Sequence, residues 1–216
     1  MTLAEGIPAI LWALDYLSVL VFALTGALVA SRGQLDPVGF VFMAAMTAVG
    51  GGTLRDLLLD RPQVFWVARP SLVLVAAVAA MVVFWTAHRL ESRYNVLLWL
   101  DAMALAVAVP AGVGIAHETG AGAVITVIMG VITGTFGGLI RDVVGNEVPL
   151  VLKKGELYLT AAFGGALAAA VALQLGAGRG ESLVLCGVVT LGLRAGSMAW
   201  GWALPVYRPR PPRRRG

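Results

Sequence analysis

The sequence predicts an all-α integral membrane protein with seven transmembrane helices, in which an inverted repeat of three plus three helices is followed by one extra helix. Three observations lead to this fold class. The 216 residues are 59% hydrophobic and only 13% charged, which is too little charge for the surface of a soluble protein. The hydrophobic residues form long uncharged runs without the period-two alternation of strands. Two of these runs contain the same glycine, arginine and aspartate pattern.

Seven hydrophobic stretches are long enough to cross a bilayer, which takes about 20 apolar residues in a helix. The predicted spans are residues 9–31, 37–60, 70–88, 94–116, 119–145, 156–177 and 182–205. No Lys or Arg precedes Arg32, so the first span lacks the basic segment of a secretory signal and should stay in the mature protein. We expect residues 1–207 to form one transmembrane domain and residues 208–216 to form a basic cytoplasmic tail.

The basic residues are distributed unequally between the two predicted membrane faces. One face carries Arg32, Arg89, Arg93, Arg141, Lys153, Lys154, Arg208, Arg210, Arg213, Arg214 and Arg215, and the other carries Arg55, Arg61, Arg69 and Arg179. Because cytoplasmic loops are enriched in Lys and Arg, we expect the C-terminus in the cytoplasm and the N-terminus outside the inner cell membrane. The net charge of +4 does not indicate nucleic-acid binding, since no basic helix is interleaved with stacking aromatic residues.

The two halves of the sequence repeat at an offset of 86 residues. Equivalent pairs are Asp15 and Asp101, Gly26 and Gly112, Thr47 and Thr133, Gly51 and Gly137, Arg55 and Arg141, and Asp56 and Asp142. The repeats cover roughly residues 9–88 and 94–177, and each contains three spans. Since three is odd, the two halves should lie in opposite orientations across the bilayer. The seventh span, residues 182–205, lies outside the repeat.

Each repeat places glycines and then a charged pair inside its second span. The two copies read Gly50-Gly51-Gly52-Thr53-Leu54-Arg55-Asp56 and Gly137-Gly138-Leu139-Ile140-Arg141-Asp142. Glycine disfavours a helix by about 1 kcal/mol relative to alanine, so we expect two half-broken helices that meet near the membrane centre around a water-filled path. Close helix packing is the alternative role of the glycines. The adjacent charges favour the path, because intramembrane charges usually line a cavity or pair with one another.

This pattern defines the candidate site residues. The candidate pore or gating residues are Gly50, Gly51, Gly52, Thr53, Arg55, Asp56, Thr133, Thr135, Gly137, Gly138, Arg141 and Asp142, and the candidate buried charge partners are Asp15, Asp101 and Arg194. The inverted symmetry favours partners that cross between the halves, such as Arg55 with an acid of the second half. Neighbouring helical residues point about 100° apart, so Arg55 and Asp56 should face different partners. The threonine hydroxyls either face the path or bond to carbonyls of their own helix.

The sequence offers little support for catalysis or for a metal centre. Cys186 is the only cysteine, and His88 and His117 are not spaced as a ligand pair. The chain carries no serine–histidine–aspartate arrangement, zinc-protease motif or phosphate-binding glycine loop, so we expect it not to be an enzyme. We expect no cofactor, but only permeant K⁺ or Na⁺ ions and bound membrane lipid.

The paired Gly-Gly-x-x-Arg-Asp motifs, the three-plus-three-plus-one layout and the length resemble prokaryotic members of the trimeric intracellular cation (TRIC) channel family. The resemblance implies a homotrimer in which each protomer has its own pore for monovalent cations, chiefly potassium with sodium also passing. It also implies that spans 2 and 5 are kinked at Gly50 to Gly52 and at Gly137-Gly138 and line the pore. The Lys-Glu-Val tripeptide of animal members is missing here, and Asn146-Glu147-Val148 is the nearest string.

Two other functions stay open at this point. The same bacterial domain family is also labelled a glycine transporter, and inverted repeats with discontinuous helices are equally typical of secondary transporters. A transporter of a small solute such as glycine is therefore the main alternative to a channel. A scaffold membrane protein, in which the charges only pair helices, is the third hypothesis.

Overall fold

The computed structural model describes residues 3–89, 92–205 and 207, and this part of the chain forms eight α-helices and no strand. The helices are α1 Leu3–Arg32, α2 Pro37–Leu58, α3 Phe65–Ala68, α4 Ser71–Thr86, α5 Arg93–Glu118, α6 Ala123–Val144, α7 Leu159–Gln174 and α8 Arg179–Trp200. Two short 3₁₀ helices cover Ala87–Arg89 and Leu150–Leu152. The basic tail predicted at residues 208–216 lies outside the described residues.

Six helices of the described chain are long and apolar enough to cross a membrane: α1, α2, α4 with its 3₁₀ extension, α5, α6 and α8. The remaining long helix, α7, is apolar but has only 16 residues. At 1.5 Å per residue it is about 24 Å long, against about 30 Å for the hydrocarbon core of a bilayer. The predicted all-α architecture of seven long helices is confirmed, with α7 shorter than its predicted range of 156–177.

Two glycines limit the length of α7. Gly155 and Gly176 both have a φ of +83°, in the left-handed region that ends a helix. Between Gly155 and the helix, the N–H of Leu157 donates to Ser197 Oγ of α8 at 2.9 Å. This hydrogen bond to a neighbouring helix holds the chain before Leu159 out of the helical conformation.

The last helix begins three residues earlier and ends five residues earlier than predicted. Gly201 adopts a left-handed conformation with a φ of 70° and caps the helix after Trp200. Beyond this cap the chain turns back, because the Trp202 ring packs where a side chain on Gly196 would lie and stacks on Trp200 at 5.6 Å. Residues 201–205, which were predicted to be helical, are therefore not part of α8.

The backbone carries the repeat that the sequence predicts. α2 and α6 each have 22 residues, and their ends correspond at the offset of 86. The non-helical turns correspond as well: Gln34 and Gly120 have positive φ after α1 and α5, and Asp60 and Asn146 have positive φ after α2 and α6. α4 and α7 both have 16 residues at an offset of 88, so a two-residue insertion precedes α7.

The helices run alternately in opposite directions, so their connections lie at two opposite ends of the bundle. We call the end at which α1, α4, α6 and α8 finish the basic face, and its described basic residues are Arg32, Arg89, Arg93, Lys153 and Lys154. The other end is called the opposite face. α1, α2, α5 and α6 form the centre of the bundle, where α1 packs on α5 and α2 packs on α6.

Candidate functional site: two arginine–aspartate clusters

The first cluster consists of Arg55, Asp56 and Asp15. Arg55 lies in the last turn of α2 and is fully buried. Its Nη1 atom donates to Asp15 Oδ1 of α1 at 3.2 Å, and its Nε atom donates to Asp56 Oδ1 at 2.8 Å. One guanidinium therefore binds two carboxylates. Because the site is buried, the arginine supplies the hydrogen bonds that water would donate to these carboxylates at an exposed site.

Asp56 also fixes the chain that leaves α2. Its Oδ2 atom accepts the backbone N–H of Phe65, the first residue of α3, at 2.7 Å. Its Oδ1 atom accepts a further hydrogen bond from Arg61 Nη1 at 3.2 Å. The Arg55 guanidinium lies 5.3 Å from the centre of the Phe65 ring, within the range of a cation–π contact. The cluster thus ties the loop on the opposite face to α1 and α2.

The second cluster consists of Arg141, Asp142 and Asp101, and it repeats these contacts. Arg141 is fully buried in the last turn of α6. Its Nη1 atom donates to Asp101 Oδ1 of α5 at 2.6 Å, and its Nε atom donates to Asp142 Oδ1 at 2.8 Å. Asp142 Oδ2 accepts the backbone N–H of Leu150 at 2.8 Å. Each cluster therefore joins the first two helices of its own repeat and the loop that follows them.

Two predictions about these charges were wrong. The ion pairs do not cross between the halves, because α1 packs against α2, and α5 against α6, and this brings each arginine to the acid 40 residues before it. Arg55 and Asp56 also do not face separate partners. The arginine side chain is long enough for its Nε atom to reach the carboxylate of the next residue, although the two Cβ atoms point in different directions.

The clusters lie on opposite sides of the point where α2 crosses α6. A methyl group on Gly51 would overlap the Thr133 carbonyl oxygen, and one on Gly137 would overlap that of Thr47. Arg55 and Arg141 each lie four residues beyond their glycine, in opposite directions. Because Gly137 lies opposite Thr47, four residues from Gly51, the arginines are about 12 residues or about 18 Å apart along the helix axes. The charges therefore lie toward the two membrane faces and do not meet at the centre.

The glycine stretches are not breaks in the helices. α2 and α6 are α-helical throughout, from Pro37 to Leu58 and from Ala123 to Val144. The expectation of half-broken helices was therefore wrong, because the missing side chains permit close contact and the helical backbone continues through them. A methyl group would lie 2.6 Å from Ile140 Cδ1 at Gly50, 2.5 Å from the Phe65 ring at Gly52 and 2.9 Å from Tyr158 Oη at Gly138.

The threonines of the candidate site bond to their own helices. Thr53 Oγ1 donates to the Val49 carbonyl at 2.7 Å, Thr133 Oγ1 to that of Met129 at 2.6 Å, and Thr135 Oγ1 to that of Val131 at 2.8 Å. Thr53 Oγ1 also accepts the indole N–H of Trp66 at 2.9 Å. This is the back-bonding alternative considered from the sequence, and it leaves only the oxygen lone pairs of Thr133 and Thr135 for other contacts.

Arg194 belongs to neither cluster. It is fully buried in α8, its Nη2 atom lies 2.7 Å from Glu156 Oε2, and its guanidinium lies 5.2 Å from the centre of the Tyr158 ring. Sequence reasoning missed Glu156 because it is the first residue of the predicted sixth span, residues 156–177, where a charged residue reads as a membrane-interface position. A signal was present, however, since a buried arginine requires a carboxylate at the same depth and Glu156 lies at the basic face, where α8 also ends.

Oxygen atoms without partners occur beside the second cluster. Within the described chain, Asp101 Oδ2 and Tyr158 Oη have no hydrogen-bond partner, and both residues are buried. A methyl group on Gly138 would lie 2.9 Å from this hydroxyl and 3.4 Å from Asp101 Oδ1. The described residues contain no group of three or more His, Cys, Asp and Glu side chains arranged to hold a metal ion.

Comparison with known proteins places these features among bacterial membrane proteins. A family model described as "Glycine transporter" matches the chain twice, over residues 12–88 and 98–174, which correspond to the two repeats. The UPF0126 inner membrane protein YadS of Escherichia coli K12 is 40% identical over 199 residues, covering 90% of this chain and 94% of the relative. A UPF0126 membrane protein of Vibrio cholerae is 36% identical over 200 residues, covering 92% and 83%.

Solved structures with the same fold include channels. The TRIC trimeric intracellular cation channel orthologue from Rhodobacter sphaeroides superposes with a TM-score of 0.86 at 45% identity, covering 88% of this chain and 98% of that one. A prokaryotic TRIC channel crystallised in 0.5 M KCl superposes with a TM-score of 0.83 at 26% identity, covering 91% and 99%. These similarities extend over 88% and 91% of this chain.

Proposed function

We propose that the chain is a cation channel of the inner membrane, since it belongs to the TRIC channel family and also matches the family model described as "Glycine transporter". The observation that carries this proposal is the similarity to the Rhodobacter sphaeroides channel, at 45% identity and a TM-score of 0.86. The solved members of the family are ion channels and not enzymes. Catalysis is accordingly not part of the proposal.

The formal charges of the clusters favour cations over anions. In each cluster two carboxylates share one guanidinium, which leaves a formal charge of −1 when all three groups are ionised. Arg61 offsets this charge in the first cluster, whereas its equivalent at the offset of 86 is Glu147. The second cluster therefore keeps its negative charge and has the unpartnered Asp101 Oδ2 and Tyr158 Oη beside it. Oxygen atoms of this kind are suitable ligands for a dehydrated K⁺ or Na⁺ ion.

The proposed path runs along α2 and α6 within each protomer. Its proposed pore or gating residues are Gly50, Gly51, Gly52, Thr53, Arg55, Asp56, Thr133, Thr135, Gly137, Gly138, Arg141 and Asp142. The contacts of Gly51 with Thr133 and of Gly137 with Thr47 leave no opening between the two helices at their crossing. Conduction therefore requires these helices to separate there, or the ion to pass beside the contact. We take the packed arrangement to be a non-conducting conformation.

The remaining parts of the proposal concern selectivity and assembly. We propose that potassium is the main permeant ion with sodium also passing, and that three copies form a homotrimer with one path in each protomer. The trimeric state is supported by the Rhodobacter sphaeroides relative, which is a trimeric channel. Membrane lipid is the expected partner of the exposed apolar helix surfaces, among them Val78, Val82 and Val188.

Planar bilayers test the channel directly. Purified trimers reconstituted in symmetrical KCl should give unitary currents with a defined amplitude. A second preparation carries Gly137→Leu, whose large side chain would disfavour the packed contact with the Thr47 carbonyl and should therefore raise the open probability. Absence of unitary currents over a range of voltages, from protein shown to be folded and trimeric, would overturn the proposal.

A secondary transporter of a small solute such as glycine is the second candidate. The description of the matching family model favours it, and so does the inverted repeat, which many transporters share. Saturable uptake of labelled glycine into proteoliposomes, driven by an ion gradient and without unitary currents, would select this function. Currents without saturable uptake would select the channel.

A further inference from the structure

An ion pair joins the two repeats at the basic face. Arg32, the last residue of α1, lies with its Nη1 atom 3.0 Å from Oε2 of Glu147, in the loop after α6. The pair lies beside a cavity of about 330 Å³ whose wall includes Val29 and Met43 as well as these two residues. Both charged side chains stay partly exposed, at 34% and 26%. The cavity lies between α1, α2 and α6 at the basic face, and we call it the first mouth.

The repeat places a second pair of opposite charges at the opposite face, at the positions equivalent to those of the first mouth. At the offset of 86, Arg32 corresponds to Glu118 and Glu147 corresponds to Arg61. Each basic residue of one pair corresponds to an acidic residue of the other, so both pairs contain one acid and one base. Glu118 is the last residue of α5, and Arg61 follows α2, so the two residues belong to different repeats just as Arg32 and Glu147 do.

The second pair is not formed in this structure. Within the described chain Glu118 makes no ion pair and is exposed, while Arg61 donates to Asp56 Oδ1 at 3.2 Å. The loop backbones are nevertheless alike, since Arg61 N–H bonds to the Asp56 carbonyl at 3.0 Å and Glu147 N–H bonds to the Asp142 carbonyl at 2.8 Å. The two mouths therefore share one backbone geometry and differ in whether the side-chain pair is closed.

We propose that the pairs Arg32–Glu147 and Arg61–Glu118 are two latches that close the two mouths of one permeation path, and that the structure has the first latch closed and the second open. This inference rests on the proposed channel function and adds to it the residues that control ion entry. When the second latch opens, Arg61 has Asp56 as another partner. Arg32 keeps the contact that it already makes with the Tyr94 ring, whose centre lies 5.0 Å from its guanidinium.

The half-exposed latches suit a reversible closure better than the buried clusters do. Pairs with this exposure are weak, because water solvates both charges when they separate. The clusters are fully buried, so opening them would leave charges without solvent. When the first latch opens, the Glu147 carboxylate becomes available at the mouth, where it would attract cations.

Single-channel recording tests the first latch. Arg32→Gln and Glu147→Gln each remove the pair and should raise the open probability by about two- to five-fold, the factor expected for losing a partly exposed ion pair. The exchange of both residues, Arg32→Glu with Glu147→Arg, should bring the open probability back toward the original value. The matched control is Arg89→Gln, an exposed arginine at the same face without an ion pair in the described chain, which should change nothing.

Thiol cross-linking tests the second latch without any current. The background is Cys186→Ala, which removes the only cysteine, and Arg61→Cys with Glu118→Cys supplies the pair for a short bifunctional thiol reagent. The two cysteines should cross-link, because the second latch requires the loop after α2 to approach the end of α5. Absence of the cross-link overturns the inference, and so does an unchanged open probability in both single variants. If the parent protein gives no current, the proposed function fails and the cross-linking result alone decides on the latches.

Discussion

At the scale of single residues, the repeated feature is one arginine shared between two aspartates. Arginine suits this role because its guanidinium is planar and always charged, and it offers donors on two edges. Arg55 and Arg141 use Nη1 for the aspartate of the preceding helix and Nε for the aspartate next in sequence. A lysine could not bind both acids in this fixed geometry, so both arginines should be intolerant of that replacement.

The two clusters contain different amounts of positive charge, so replacing the arginine should destabilise the protein by different amounts. Arg141→Met leaves two buried carboxylates without a counter-charge, whereas after Arg55→Met the Arg61 guanidinium still binds Asp56. Removing one partner of a buried pair typically costs about 3–5 kcal/mol. Thermal unfolding in detergent should therefore show a greater loss of stability for Arg141→Met than for Arg55→Met. Equal losses, or the reverse order, would contradict the assigned charges.

The glycines at the helix crossing make a second prediction. Gly137→Ala places a methyl group against the Thr47 carbonyl, and overpacking of this kind typically costs about 1–3 kcal/mol. Gly192→Ala in α8 is the matched control, because no atom lies within 4 Å of the added methyl and alanine favours a helix. Thermal unfolding should show lower stability for the first variant and equal or higher stability for the second. A Gly137→Ala protein as stable as the parent would show that α2 and α6 are not in tight contact.

At the scale of helices, the repeat could be read from the sequence more reliably than the packing. The offset of 86 correctly related α2 to α6 and Arg55 to Arg141, because duplicated residues keep their spacing whatever they touch. The partners of the arginines could not be predicted in the same way. They depend on which helices pack together and on the rotamer of a long side chain, and neither is encoded in local spacing.

The glycine stretches illustrate a different limit of the sequence. Their low helix propensity suggested broken helices, but propensity is a weak term that tertiary contacts override. Contact of Gly51 with the Thr133 carbonyl and of Gly137 with that of Thr47 accompanies an uninterrupted helix in both repeats. The early end of α8 was missed for a similar reason, since it depends on Trp202 packing back on Gly196.

The pair of Glu156 and Arg194 makes a prediction about how α8 is attached. It links the segment before α7 to the last third of α8, with 2.7 Å between the charged atoms. Glu156→Gln leaves the buried Arg194 without a counter-charge and should destabilise the protein. The double change Glu156→Gln with Arg194→Met should be more stable than Glu156→Gln alone, because it also removes the unpaired charge. Thermal unfolding of the single and double variants measures the coupling energy between the two residues. If the stability losses of the single variants simply add up in the double variant, the pairing is contradicted.

At the scale of the whole molecule, the inverted repeat determines how the chain lies in the membrane. Three long helices in each half place α2 and α6 antiparallel, so one cluster lies toward each face. Equivalent side chains therefore lie toward both faces of the membrane. The symmetry is broken at one pair of equivalent positions, which hold Arg61 in the first repeat and Glu147 in the second. The cluster nearer the basic face is therefore the more negative one.

The orientation itself is a prediction of the sequence. Eleven Lys and Arg residues on one predicted face against four on the other place the C-terminus in the cytoplasm and the N-terminus outside. A green fluorescent protein fused at the C-terminus should fluoresce, and alkaline phosphatase fused at the same point should be inactive. Fusions in the loop at residues 119–122 should give the opposite pattern. Active alkaline phosphatase at the C-terminus would reverse the assignment of the basic face.

The most direct measurement of the central claim is the reversal potential of single channels in a KCl gradient. A cation channel predicts unitary currents that reverse close to the K⁺ equilibrium potential. When Na⁺ replaces K⁺ on one side, the reversal potential should move by less than it would if Na⁺ did not permeate. We propose the negative charge of the second cluster as the physical reason for this sign of selectivity. Reversal close to the Cl⁻ equilibrium potential would contradict the account, as would folded trimers that carry no unitary current but accumulate glycine.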